Sequence, residues 1–134
     1  MAIDLKDAAV RAGIEKGFDR ISPGQGKPGL ETLEKMMAGG AVNEDEKDFF
    51  SMLIGSLTYN IGLAGGGDGL LVPMILSSTL SVGKDFHPML TVDTQWALLL
   101  GAIQFRTGLR VTCEANRQTW EKIIRYLITY GEGK

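Results

Sequence analysis

Apolar residues recur along this chain at helical spacing, and breakers separate the runs. Ile3, Val10, Ile14, Phe18 and Ile21 share one face of an amphipathic helix over 3–21, with Lys6, Asp7, Arg11 and Glu15 on the other faces. Residues 22–29 hold three glycines and two prolines and predict a loop. A short helix is expected from about Leu30 to Met37, ended by Gly39 and Gly40. Asn43 is placed as an N-cap with Glu46 three residues on, a variant of the capping box. Glu44, Asp45, Glu46 and Asp48 then lie where the helix dipole favours negative charge.

The helix that follows carries two stripes. Phe50, Leu53, Ile54, Leu57 and Ile61 make a core stripe. Ser51, Gly55, Thr58 and Gly62 make a stripe of small residues, a face that lets another helix approach backbone to backbone. Gly55→Leu on that face is expected to overpack a contact at a cost of roughly 1–3 kcal/mol.

The glycine-rich turn at 65–69 breaks this helix, and a short helix from Leu70 to Val82 follows, apolar on nearly every side. A loop over 83–90 carries His87. Thr91 or Asp93 caps the next helix, which runs to about Thr107 with Val92, Trp96, Leu99, Leu100 and Ile103 on one face and Gly108 as its stop. The last helix is predicted from about Val111 to Tyr130. Its buried side is Trp120, Ile123, Ile124 and Leu127, and its wet side carries the i,i+4 pairs Arg110–Glu114, Arg117–Glu121 and Glu121–Arg125. Leu109 to Cys113 is the best competing strand and is weak. The expected fold is all-α: one domain over 1–134, built as a compact bundle of five to six helices.

Composition narrows the function classes. A chain of 134 residues with 44% hydrophobic and 22% charged residues suits one globular domain with a real core. The net charge of −2 argues against a chain devoted to neutralising phosphates. A lone cysteine, Cys113, makes no internal disulfide and is compatible with a reducing cytoplasm, the expected location. Asp4, Lys6, Asp7, Arg11 and Glu15 interrupt any secretory h-region. No membrane span is expected, since Leu70 to Val82 is too short and contains Ser77, Ser78, Thr79 and Ser81.

Residues able to do chemistry are few. His87 and Cys113 have no spacing that pairs them for thiol catalysis, and one histidine makes no metal site. The contiguous carboxylates at 44–48 radiate around a helix axis instead of converging on a cation. Residues 22–29 resemble a phosphate cradle only in their glycines: Lys27 is followed by Pro28, and no strand precedes them. No catalytic residue, cofactor or metal is expected.

The expected function is therefore non-enzymatic: a subunit of a larger assembly, an adaptor or chaperone, or an inhibitor, acting through a protein partner or as a homo-oligomer. Its interface candidates are Ser51, Gly55, Thr58, Gly62, Leu70, Leu71 and Met74. The alternative is a small nucleic-acid-binding subunit of a nucleoprotein complex. It would use the basic C-terminal helix through Arg106, Arg110, Arg117, Lys122 and Arg125, with Trp120, Tyr126 and Tyr130 nearby to stack bases. An enzyme with a cofactor in its helical core ranks last, for want of ligands.

Overall fold

Helix starts in this protein are set by short polar side chains. Asp7 accepts hydrogen bonds from the Ala9 and Val10 amides and starts α1, Ala8–Ile21. Asn43 accepts from the Glu46 amide and starts α3, Glu44–Asn60. Thr91 accepts from Thr94 to start α4, Val92–Arg106, and Asn116 accepts from Thr119 to start α5, Arg117–Gly131. The second helix, α2, Gly26–Met37, has no side-chain cap of its own. Asp19, seven residues upstream on α1, accepts from the Gly26 amide at 2.8 Å instead. The structure is a computed structural model that describes residues 3–63 and 91–133. Five helices and no strand are present among them, so the all-α bundle stands, with five helices where five to six were expected.

Three predicted boundaries are corrected. The first helix, expected over 3–21, begins at Ala8, because the Asp7 side chain caps it there. The loop expected over 22–29 is confined to 22–25, because Pro28 sits in the first turn of α2, where a missing N–H costs nothing. Gly26 and Gly29 serve proximity to α1: a Cβ at Gly26 would come within 2.8 Å of the Asp19 carboxylate, and one at Gly29 within 2.6 Å of the Phe18 ring. The last helix begins at Arg117 and not near Val111. Residues 109–116 form an irregular connector, so Arg110 and Glu114 do not share a helix face, and the competing strand is not formed there either.

The core is one cluster. Ile14 and Phe18 of α1, Leu30 and Leu33 of α2, and Phe50, Leu53, Ile54 and Leu57 of α3 meet Trp96, Leu100 and Ile103 of α4. Trp120, Ile123, Ile124 and Leu127 of α5 complete it. Phe50 is at its centre, tilted against Phe18, Trp96 and Trp120 at centroid distances of 5.6–6.3 Å. The most extensive helix contact is between α1 and α5. There Gly17 lies against the backbone of Leu127, and Gly131 lies against the amide of Gly17. Arg20 reinforces this pairing by donating to the Tyr130 carbonyl at 2.7 Å while its guanidinium lies 4.1 Å above the Tyr130 ring. Arg11 of α1 bridges to Glu34 of α2 at 3.0 Å, and the hydrogen bond it donates to the Glu34 carboxylate holds its pKa above the ordinary range.

A second ordering device is polar and buried. Gln104 of α4 is wholly inaccessible to solvent. Its Oε1 accepts from the amides of Thr112 and Cys113, both at 2.9 Å, and its Nε2 donates to the Glu114 carbonyl and to Oγ1 of Thr112 and Thr119. Two amides facing one atom require that atom to be the oxygen, so the network fixes the orientation of the side chain. Thr119 passes the bond on to Asn116 at 2.7 Å, joining the network to the cap of α5. The connector is held from inside, tightly enough to keep Cys113 at a left-handed φ of 59°.

The glycine-rich turn at 65–69, the helix over 70–82 and the loop with His87 lie outside the described residues. So do the interface candidates Leu70, Leu71 and Met74.

Candidate functional site

The sides of α3 divide by chemistry. Phe50, Leu53, Ile54 and Leu57 point into the core. Phe49, Met52 and Tyr59 lie on the opposite side and are 40%, 61% and 69% exposed, among the largest apolar surfaces the described residues offer to solvent. The helix can present them because its core stripe is complete without them, and the spacing of 49, 52 and 59 gathers them on a second face. The half-buried Gly55 and the exposed Ser56 lie between them along the helix.

Of the small-residue stripe, Ser51, Gly55 and Thr58 are on α3 and Gly62 follows it. Ser51 and Thr58 are buried, and the Thr58 hydroxyl donates back to the Gly55 carbonyl at 2.8 Å. Ser51 Oγ has no hydrogen-bond partner among the described residues. Gly62 is beyond the end of α3 at φ 78°, where it lets Leu63 donate to the Thr58 carbonyl and close the helix. A Cβ at Gly55 would meet no heavy atom of the described residues within 4 Å, so the overpacking expected of Gly55→Leu finds no neighbour there. Close backbone approach is made between α1 and α5, where Gly17 lies against the Leu127 backbone and Gly131 against the Gly17 amide, while Gly13 lies against the Ile128 side chain.

Beside the outward face of α3, a groove of about 330 Å³ separates α2 from α3. Its apolar lining comes from Pro28, Phe49, Phe50 and Leu53. Its charged lining is three carboxylates, Glu31, Asp45 and Glu46, against one ammonium, Lys35. Glu46 is engaged twice, by Lys35 at 3.3 Å and by Asn43 Nδ2 at 2.7 Å. Phe49 belongs to both the groove and the exposed face, so the two are continuous.

The basic candidates are spread over three elements. Arg106 ends α4, Arg110 is in the connector, and Arg117, Lys122 and Arg125 are on α5. All are exposed except Lys122, which is half-buried. Arg117 lies 3.4 Å from Glu121, as the i,i+4 spacing predicts. Of the three aromatics named beside them, Tyr126 is half-buried at the edge of the core and two are engaged elsewhere. Trp120 is buried against Phe50 and Trp96, and Tyr130 carries Arg20 on its ring while its hydroxyl accepts from Asn60. Among the described residues no three metal-ligating side chains gather, and no helix is long and apolar enough to cross a membrane.

Sequence reasoning did not single out Phe49, Met52 and Tyr59, although their spacing off the core stripe was there to be read. Gln104 carried no such signal, because a glutamine in an apolar helix looks the same whether it faces water or a network. Comparison of the chain with protein-family models, with curated proteins and with solved structures gives no match.

Proposed function

We propose that this chain is a non-enzymatic cytoplasmic helical protein that works through contacts with other proteins, as a subunit of an assembly, an adaptor or chaperone, or an inhibitor. The observation that carries this reading is the outward face of α3. Phe49, Met52 and Tyr59 are exposed on α3 outside the stripe that enters the core of the described residues. Aromatic residues and methionine are enriched where proteins meet, and a contiguous apolar surface marks such a site more often than scattered exposure does. The buried polar constellation around Gln104 supports the non-enzymatic half of the reading, since its bonds are closed on one another and serve the connector. The nucleic-acid alternative is the weaker reading, because Trp120 and Tyr130 are already occupied.

The test is quantitative affinity capture from the native host, comparing the wild type with the double variant Met52→Glu, Tyr59→Glu. Both side chains are exposed, so the variant keeps its helical circular dichroism. Proteins recovered with the wild type and absent from the variant are the expected result. The same proteins recovered with both, or none with either from a chain that light scattering shows to be monomeric, would end the proposal.

A further inference from the structure

Building on that reading of α3 as a contact surface, we propose that the groove between α2 and α3 is the docking site for a basic segment of a partner protein, anchored by an apolar side chain. The floor sets the first requirement. Pro28 and Phe49 offer exposed apolar surface above the buried Phe50 and Leu53, and a groove of about 330 Å³ is at the small end of the range for pockets that enclose whole ligands, roughly 300–1,000 Å³. It accepts a few side chains presented by a longer segment, the mode in which one face of a helix lies in a groove.

The rim sets the second requirement. Lys35 is bound to Glu46, while Glu31 and Asp45 form no ion pair among the described residues. Both are exposed, and Glu44 and Asp48 extend the negative charge along the first turns of α3. The nearby Lys47 does not offset this, being turned to Asp93 of α4 at 2.6 Å. A phosphate-bearing or acidic ligand meets repulsion at this rim, whereas lysine or arginine residues flanking an apolar anchor meet complementary charge. Phe49 joins floor and outward face, so a segment seated here continues onto Met52 and Tyr59.

The probe is a short, fluorescein-labelled amphipathic peptide of leucine and lysine at helical spacing, titrated into the full chain and followed by anisotropy. Its leucine–glutamate counterpart serves as comparison. Glu31→Lys with Asp45→Lys reverses the rim, Phe49→Ala removes exposed floor, and Asp4→Lys with Glu132→Lys makes the same net-charge change elsewhere. The leucine–lysine peptide is expected to bind the wild type and the distal variant alike, and to bind the rim and floor variants about ten-fold more weakly or worse. The leucine–glutamate peptide is expected not to bind. Equal loss in the rim and distal variants, equal binding of the two peptides, or no binding of the basic peptide to the wild type overturns the groove assignment. If the Met52→Glu, Tyr59→Glu variant still loses captured proteins in that case, contact through α3 stands and only the basic occupant falls.

Discussion

Gly17 has no room for a side chain. A Cβ there would overlap the Leu127 carbonyl oxygen, and one at Gly131 would come within 2.7 Å of the Gly17 amide. These neighbours are backbone atoms, so relief requires α1 and α5 to move apart. Gly17→Ala is therefore expected to lower the free energy of unfolding by about 1–3 kcal/mol in urea titration. Gly55→Ala has the opposite sign. It meets nothing within 4 Å among the described residues, and alanine is favoured over glycine inside a helix by roughly 0.5–1 kcal/mol. A higher midpoint for Gly17→Ala than for the wild type would contradict the packing, as would a strongly lowered midpoint for Gly55→Ala. Glycines at helical spacing look alike in a sequence whether a neighbouring helix uses them or not. Gly17 and Gly131 are used in this way where α1 meets α5.

Among the elements, the connector over 109–116 owes its shape to one side chain. Gln104→Met preserves much of the volume and takes the side-chain acceptor away from the Thr112 and Cys113 amides, while the Glu114 carbonyl keeps the Asn116 amide. Each stranded buried group costs roughly 1–3 kcal/mol, so a loss of about 2–4 kcal/mol is expected after partial rehydration. Hydrogen exchange gives the local readout: the Thr112 and Cys113 amides, outside any helix, are protected in the wild type and exposed to exchange in the variant. Unchanged protection would mean that the network does not hold the connector. The same residues show which boundaries were legible. Asn43, Thr91 and Gly108 act on their own turns, and the sequence reveals them because the cause is local. The start of α2 depends on Asp19 across a turn, and the start of α5 on Asn116 together with a network reaching back to Gln104. Counting glycines and prolines in 22–29, or charge pairs over 110–125, cannot register a partner supplied by another element.

At the scale of the whole molecule, charge is arranged unevenly. Carboxylates gather where α2 and α3 meet, while Arg110, Arg117 and Arg125 are carried by the connector and α5. Binding of single-stranded RNA is expected to be weak and to change little in Arg117→Ala with Arg125→Ala. Tight binding that falls steeply with salt and disappears in that double variant would favour the nucleoprotein reading instead. The helical class and the core stripes could be read from periodicity alone, because Trp120, Ile123, Ile124 and Leu127 record their burial in their spacing. The groove could not, because it exists only once α2 and α3 are set side by side, and no pattern within either helix encodes the gap.

The contact of Gly17 with Leu127 and Gly131 also bears on the order of events during synthesis. The first helix finds its closest neighbour in the last one, more than a hundred residues later in translation. Until α5 leaves the ribosome, the side of α1 that carries Gly13 and Gly17 has nothing to close against, and the aromatic cluster around Phe50 lacks Trp120. The nascent chain therefore carries α1 without this neighbour until α5 has emerged, so that the α1–α5 contact is a late event of synthesis.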